Sequence, residues 1–140
     1  MAVTPAIYPQ AAIAEALAAI RFDAQGLVAC VAQQHDTGEV LMMAWMNRDS
    51  VAETLSTGRV CYWSRSRGKL WRKGEESGHV QTLVDLRIDC DGDTLLALVE
   101  QQGVACHTGR HNCFFRALRE EKLTEIAPVL VPPQEMYGPG

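Results

Sequence analysis

Two features that would place the protein at a membrane or on a nucleic acid are absent. The longest uninterrupted apolar run, Val40–Met46, has seven residues, whereas a membrane-spanning helix needs about 20. The formal net charge is −4, and a protein that binds nucleic acids through their phosphates generally carries a strongly basic surface. We therefore expect neither a membrane nor a nucleic acid among the partners.

A secretory signal is also missing. The chain starts Met-Ala-Val-Thr-Pro, without a basic start or a long apolar stretch. The five cysteines are an odd number, which does not suit the complete disulfide set of an exported protein. Both observations predict a reducing, cytoplasmic setting, where clustered cysteines bind metals or take part in chemistry more often than they form disulfides.

The composition fits one ordinary globular domain of 140 residues, of which 47% are hydrophobic and 21% charged. Apolar spacing and turn residues predict the elements along the chain. These are a helix at 11–20, a strand pair at Leu27–Gln33 and Val40–Met46, a helix at Arg48–Thr57, a short strand at Val60–Ser64, and a strand pair at Val80–Ile88 and Thr94–Glu100. The mixture predicts an α+β domain built on a mostly antiparallel sheet with a few short helices.

Local signals refine this interpretation. Asn47 can cap the helix that begins at Arg48, and Gly58 can end it in the left-handed conformation. The glycine-containing segment after Ser64 is predicted to be a long functional loop. Residues 114–120 suit either a strand or a helix. Four of the six prolines lie in residues 127–140, so this tail is predicted to be extended and partly mobile.

A dense group of carboxylates forms the first candidate site. Asp89, Asp91 and Asp93 fall within five residues that also contain Cys90 and Gly92; we call this stretch the acidic turn. Three neighbouring carboxylates repel one another, and a hard divalent cation such as Mg²⁺ or Ca²⁺ would remove that repulsion. A solvated acidic turn without metal is the alternative. In an extended segment, Cys90 would point away from the three carboxylates and would serve a different metal.

A second candidate site lies in the sequence ACHTGRHNC, where Cys106 and Cys113 are separated by six residues. Together with Cys90, these cysteines could hold Zn²⁺ by three thiolates and leave a fourth position for water. His107 or His111 as a fourth ligand would instead close the site and make the zinc structural. Cys30 and Cys61 lie in apolar strands and are predicted to be ordinary buried thiols.

The third feature is a basic segment with interleaved aromatic residues. Residues 59–79 contain six Lys or Arg and two Glu, a local balance of +4, so the rest of the chain carries −8. Arginine and serine with glycine-freed amides suit the oxygens of a small anion such as a phosphate. Trp63 and Trp71 can each stack on a base or simply pack in the core. The candidate binding residues are Trp63, Ser64, Arg65, Ser66, Arg67 and Lys73.

The three motifs together resemble one known family. Tyr62–His79, Asp89–Asp93 and Ala105–Phe114 are similar to the phosphoribosyl-AMP cyclohydrolases of histidine biosynthesis, and they occur in the same order. The resemblance runs from about Gly26 to Phe115. We therefore expect an N-terminal helical extension at 1–25, a catalytic domain at 26–120 and a proline-rich tail at 121–140. A pyrophosphohydrolase domain follows in some relatives, and that second activity is expected to be absent.

The resemblance implies the metals and the assembly. Asp89, Asp91 and Asp93 would bind one Mg²⁺ per subunit. Zn²⁺, also one per subunit, would be bound across an intertwined homodimer, by Cys90 of one subunit and by Cys106 and Cys113 of the other. The expected substrate is a small nucleotide, 1-(5-phosphoribosyl)-AMP, whose adenine ring would be opened by hydrolysis of the N1–C6 bond. His107 is the candidate proton carrier, and His111 and His79 are weaker candidates.

Two other classes of function remain open from the residues alone. The chain could be a zinc-stabilised nucleotide-binding module without catalysis, which a fourth protein ligand on the zinc would favour. It could also be a redox protein that cycles Cys106 and Cys113. Zinc content near one per chain that mild oxidant does not change would argue against the redox class.

Overall fold

The fold is described from a computed structural model that covers residues 3–137 of the chain. Three helices and eight strands lie in this part. The helices are α1 (Gln10–Ala19), α2 (Arg48–Thr57) and α3 (Pro133–Tyr137). The strands are β1 (Leu27–Gln34), β2 (Val40–Asn47), β3 (Cys61–Ser64), β4 (Lys69–Arg72), β5 (Gln81–Ile88), β6 (Thr94–Gln101), β7 (Arg116–Arg119) and β8 (Lys122–Glu125). None of the described helices is long and apolar enough to cross a membrane.

A four-stranded sheet in the order β2-β1-β6-β5 forms the centre of the fold. The β1–β2 and β5–β6 pairs are antiparallel, and the central β1–β6 pair is parallel. The sheet is therefore mixed but mostly antiparallel, and the predicted α+β class is confirmed for the single chain. In the β5–β6 pair, Gln81 lies opposite Gln101 at one end and Ile88 opposite Leu95 at the other. These two ends define where the candidate sites lie.

The first half of the chain folds where its local signals predict. Tight turns join apolar strands in the β1–β2 hairpin, which is confirmed within one residue of its predicted limits. The Asn47 side chain accepts a hydrogen bond from the Ser50 N–H at 2.8 Å and caps α2. The helix ends at Gly58 in the left-handed conformation, as expected. Short-range chemistry alone fixes these boundaries.

The core lies between the sheet and helices α1 and α2. Ile13 and Ile20 of the N-terminal segment are buried in the same cluster as Val51 and Leu55 of α2 and the inner residues of the sheet. Burying each of these side chains contributes about 1.5–3 kcal/mol before the loss of conformational entropy is counted. The predicted N-terminal extension is thus packed as part of the domain core. Cys30 and Cys61 are fully buried, as expected for structural thiols.

The basic segment is not the uninterrupted loop that the glycines predicted. Lys69–Arg72 forms β4, which pairs antiparallel with β3 so that Tyr62 lies opposite Trp71 and Ser64 opposite Lys69. The tilted rings of Tyr62 and Trp71 lie 5.5 Å apart and pack across the strands. Glycine content suggested a loop, but cross-strand aromatic packing outweighs it. The segment is therefore a hairpin followed by a loop at 73–80.

The C-terminal part contains more regular secondary structure than its prolines suggested. Residues 116–119 and 122–125 form the β7–β8 hairpin. Of the two structures that suit residues 114–120, the strand is therefore the one that forms. The boundary expected at residue 120 falls in the turn of this hairpin and stays a prediction. Beyond it, Leu130 and Val131 N–H donate to the Gly109 carbonyl. Because α3 follows, the tail is not extended throughout its described length.

Candidate active site

Cys106 and Cys113 are brought together by a small backbone hairpin inside the loop at 103–113, which we call the thiol loop. Ala105 N–H donates to the His111 carbonyl at 3.0 Å, and Cys106 N–H donates to the Arg110 carbonyl at 3.2 Å. These bonds turn the chain back so that the Cys113 thiol contacts Cys106. Cys113 N–H also donates to the Leu41 carbonyl at 2.7 Å, which ties the loop to β2.

The two thiols have the chemistry of a soft metal site. Cys106 is 4% exposed, and its sulfur lies 3.0 Å from the Thr108 hydroxyl. Removal of water around the Cys113 thiol, and then the neighbouring Cys106, raises the pKa of Cys113 to about 12. A bound cation such as Zn²⁺ would displace the thiol protons, since metals bind cysteine as the thiolate. The pair offers two soft ligands from one chain.

Lys73 supports the thiol loop from the opposite side. Its side chain is buried, and Nζ donates to the Ala105 carbonyl at 2.6 Å, one residue before Cys106. The pKa of Lys73 is lowered, because the effect of burial outweighs that of the nearby sulfurs of Cys113 and Cys106, which raise it. The lysine that sequence analysis assigned to phosphate is thus engaged with the backbone by one of its three N–H donors.

An open cleft of about 630 Å³ lies beside the thiols. Its walls come from the β3–β4 hairpin, the loop that follows it, the thiol loop, β2 and α3. The lining residues that sequence analysis had singled out are Ser64, Ser66, Arg67, Lys73, His107 and Cys113. Positive groups from the hairpin and two carboxylates, Glu75 and Glu76, border the same space. This volume and mixed polarity suit a small polar ligand of nucleotide size.

Two of the predicted binding residues lie elsewhere. Trp63 and Arg65 line a second, shallow depression together with Leu27 and Gln25. Neighbouring side chains on a strand point to opposite faces, so Trp63 faces away from the cleft that Ser64 borders. The Arg65 guanidinium lies 4.9 Å above the ring of Trp45. Within one chain the basic segment therefore presents two surfaces.

The acidic turn closes the β5–β6 hairpin. Ligand oxygens of Asp89, Asp91 and Asp93 lie within 4.8 Å of one another, and all three residues are exposed. The backbone is not extended here: Gly92 N–H donates to the Asp89 carbonyl at 3.1 Å. Strand alternation therefore does not apply in the turn, because the chain reverses within these residues. The carboxylates nevertheless converge, since the turn folds them onto one side.

Crowding of like charges shifts the pKa values of two carboxyl groups in the acidic turn. Hydrogen bonding and charge from Asp89 raise the pKa of Asp93, while the pKa of Asp89 is lowered, since its bonds to Asp93, Thr94 and Gly92 outweigh desolvation. Oxygen ligands at this spacing fit a hard cation such as Mg²⁺. A β-carbon on Gly92 would lie 2.6 Å from the Ala19 carbonyl oxygen, so only glycine lets the turn pack against the end of α1.

Cys90 lies at the opposite end of the sheet from the other two cysteines. It is exposed in the acidic turn, which precedes β6, whereas the thiol loop follows β6. Eight strand residues from Thr94 to Gln101 span about 23 Å. The loop does not fold back, because Val104 and Ala105 contact Gln101 and Lys73 near the far end of the strand. Among the described residues of one chain, Cys90 does not join the thiol pair.

Comparison with known proteins identifies the family. The family model described as phosphoribosyl-AMP cyclohydrolase matches residues 42–115. A phosphoribosyl-AMP cyclohydrolase of Rhodospirillum centenum is 66% identical over 92% of the chain and 98% of that relative. Relatives of the same name from Paramagnetospirillum magneticum and Acidiphilium cryptum are 68% and 71% identical, over 89% and 79% of the chain and 94% and 96% of their own lengths.

The chain belongs to the phosphoribosyl-AMP cyclohydrolase family. It is an enzyme of that family, and the resemblance that its motifs carried is confirmed. The matched segment begins in β2 and ends after the thiol loop, so it includes the β3–β4 hairpin, the acidic turn and both neighbouring cysteines. The candidate metal ligands and all of the cleft-lining residues except Tyr137 therefore lie within the segment that the family model matches.

The histidines of this cyclohydrolase differ in their surroundings. His107 is exposed and lines the cleft next to Cys106. His111 Nδ1 lies 2.8 Å from a carboxylate oxygen of Glu39. His79 Nδ1 accepts the Val104 N–H at 3.2 Å. Of these three, His107 is the one that borders the cleft directly, which agrees with its place as first candidate for proton transfer.

Some cleft residues were missed by sequence analysis. Glu75 and Tyr137 line the cleft, and the Thr108 hydroxyl contacts Cys106. Trp71, for which the sequence left open stacking on a base or packing in the core, lines the cleft as well. Tyr137 comes from α3, more than twenty residues from any motif, and no local signal connects it to the site.

Proposed function

We propose that the chain catalyses the hydrolysis of 1-(5-phosphoribosyl)-AMP in histidine biosynthesis, in a zinc-dependent reaction that opens the adenine ring. The names of relatives that are 66–71% identical support the activity. The contact between Cys106 and Cys113 at the edge of the cleft carries the zinc part of the proposal. Water adds across the N1–C6 bond: its oxygen joins C6, and a proton goes to the departing N1.

The metals are assigned by ligand chemistry. Cys106 and Cys113 would hold Zn²⁺ together with Cys90 of the partner subunit, and Asp89, Asp91 and Asp93 would hold Mg²⁺. When bound, zinc supplies a water molecule whose pKa is lowered toward 7, and hence a nucleophile at neutral pH. The thiol pair and the crowded carboxylates fit these two ions, soft and hard respectively.

Side chains around the cleft would bind the adenine and a phosphate of the substrate and transfer the proton. Trp71 offers a ring face on which the adenine can stack, and Arg67 with Ser64 and Ser66 can receive a phosphate. Lys73 keeps two N–H donors beyond its bond to Ala105. His107 would carry the proton from the attacking water to N1, since it borders the cleft beside Cys106.

The position of Cys90 supports the proposal of a homodimer. Two cysteines of one chain leave a zinc site short of its third thiolate, and Cys90 lies beyond the other end of β6, a strand that spans about 23 Å. The β7–β8 hairpin exposes Leu118 and Leu123 by 74% and 60%, and apolar surface of this kind suits a second copy of the chain. The one-per-subunit zinc sites would then be shared in an intertwined dimer, in a reducing cytoplasm that keeps thiols free.

The first experiment follows turnover directly. Zinc-loaded protein is incubated with 1-(5-phosphoribosyl)-AMP while ultraviolet absorbance is recorded, and we expect the change that accompanies opening of the purine. Metal analysis should give about one zinc per chain, unaltered by mild oxidant. Absence of turnover by zinc-loaded dimer would leave a binding module, and loss of zinc with Cys106–Cys113 disulfide formation would favour the redox class.

A mixing experiment tests the shared site. Cys90→Ser and Cys106→Ser proteins should each be inactive, but subunit exchange in an equal mixture restores one intact site in each mixed dimer. Half of the dimers are mixed, so we expect about a quarter of wild-type activity. A site made within one chain would give no recovery. Mixing Cys106→Ser with Cys113→Ser is the matched control, because no mixed dimer then has a complete site.

A further inference from the structure

His79 touches the backbone that leads into the thiol loop. Its Nδ1 accepts the Val104 N–H at 3.2 Å, two residues before Cys106. Val104 is 3% exposed, so its N–H needs a protein acceptor, and a buried N–H without one costs about 1–3 kcal/mol. The imidazole supplies that acceptor from a loop that is distant in sequence.

The neighbouring glycine shows how closely the two segments approach. A β-carbon on Gly103 would lie 2.7 Å from Cγ of the His79 ring, and Gly103 has a φ of +68°. Both the left-handed backbone and the absence of a side chain are needed for the chain to pass against the imidazole. The ring therefore forms one wall of the path that the backbone follows toward Cys106.

The same pair of segments is joined at further points. Gln101 Nε2 donates to the His79 carbonyl at 3.0 Å, and Gln102 N–H donates to the Val80 carbonyl at 2.9 Å. At the other end of the loop at 73–80, Lys73 holds the Ala105 carbonyl. Hydrogen bonds at both ends thus join the loop that borders the cleft to the segment that carries Cys106.

We propose that His79 is a positioning residue, which holds Gly103 and Val104 through Nδ1 and thereby sets the place of the Cys106 thiol for zinc binding. A ring nitrogen that accepts a backbone N–H carries no proton itself, so His79 is the neutral tautomer with its proton on Nε2. This inference rests on the proposed zinc site. It removes His79 from the candidates for proton transfer, because its role needs an acceptor and not a change of protonation.

Two substitutions distinguish positioning from chemistry. The Asn Oδ1 lies close to where His Nδ1 is, and it can accept the Val104 N–H, whereas Ala cannot. His79→Ala should weaken zinc binding about 10- to 100-fold in a chelator competition, the usual effect of losing a partner outside the ligand shell. His79→Asn should recover most of that affinity and most of kcat. His35→Ala, which changes a histidine whose ring lies 3.4 Å from Glu100, is the matched control and should alter neither.

Hydrogen exchange of the Val104 amide gives a readout that needs neither zinc nor substrate. The amide should be protected in the wild type, exposed in His79→Ala and protected again in His79→Asn. If Asn and Ala variants lose turnover equally while zinc affinity and Val104 protection stay at the wild-type level, His79 acts in the chemistry and the inference is wrong. A wild type that binds no zinc but protects Val104 would instead overturn the proposed zinc site and keep the contact.

Discussion

The acidic turn and the thiol loop are both candidate metal sites, but the chain builds them in different ways. Asp89, Asp91 and Asp93 come from five consecutive residues, are exposed, and meet because one tight turn folds them together. Cys106 and Cys113 meet through a hairpin that Lys73 and Leu41 hold from two other segments. A hard-ion site can therefore be local, whereas the soft-ion site depends on tertiary support.

This difference predicts how far a substitution in each region disturbs the surrounding structure. Removing a carboxylate from the acidic turn leaves the fold around it intact, because exposed groups at a hairpin turn support little packing. Removing a thiol or one of its supports disturbs buried backbone groups whose hydrogen bonds have no alternative partners. Substitutions at the thiol loop should therefore cost more activity than substitutions at the acidic turn.

Cys106→Ser should have the largest effect. A serine hydroxyl is a poor ligand for zinc in place of a thiolate, so zinc content should fall to background and turnover should be lost. Metal analysis and the ultraviolet assay measure the two effects. Cys30→Ala, which removes a fully buried thiol outside the site, should keep its zinc. Full activity of zinc-free Cys106→Ser protein would remove the thiol loop from the mechanism.

His107→Ala should come second. Loss of a general acid–base group typically reduces kcat by about 10²–10⁴, while zinc content should stay near the wild-type value because the thiols are untouched. His111→Ala is the comparison, since His111 contacts Glu39 and does not line the cleft. Steady-state kinetics and metal analysis check both. Near-normal kcat in the His107 variant would show that another group carries the proton.

Arg67→Ala tests the cleft beside the thiol loop. A hydrogen bond to a charged group contributes about 1.5–3 kcal/mol, so KM should rise about 10- to 100-fold, with a smaller change in kcat. Arg65→Ala is matched in chemistry but lies over Trp45 in the other depression, and it should matter less. Equal effects of the two variants would bring the second depression into the substrate site.

Asp93→Asn should affect only the acidic turn. Removing one of three charged ligands should weaken Mg²⁺ binding about 10-fold, and removing the repulsion with Asp89 should leave the unfolding temperature unchanged or slightly raised. Magnesium titration calorimetry and thermal unfolding without magnesium provide the measurements. Loss of zinc in this variant would mean that Asp93 also holds Cys90 in place for the shared zinc site.

Glu39→Gln should have the smallest effect, at the outer anchor of the thiol loop. Partial burial opposes ionisation, but bonds from Asn112 and His111 outweigh it and hold the pKa of Glu39 below its ordinary 4.5. A lowered folded-state pKa stabilises the protein above about pH 4.5, and this contribution is lost as pH falls through the lower value. The stability difference at pH 7 should be below about 1 kcal/mol and disappear at lower pH. A difference that grows in acid would contradict this sign.

Elements with strong local signals were predictable. The β1–β2 hairpin, the helix between Asn47 and Gly58 and the β5–β6 pair follow from apolar patterning and capping residues. The strand at Lys69–Arg72 was missed because its glycine-flanked sequence suggests a loop, and only packing of Trp71 on Tyr62 makes it a strand. The course of the tail was missed because contacts with Gly109 fix it, and these have no sequence pattern.

The sequence by itself determined the family, the sheet-forming segments and the three groups of chemical side chains, since periodicity, capping and motif spacing act over a few neighbouring residues. The tertiary structure decided which of those side chains share a surface. It separated Trp63 from Ser64 and the cleft, and it put Cys90 at the far end of β6 from Cys106. Such placements depend on hydrogen bonds and packing between distant segments, which no short stretch of sequence encodes.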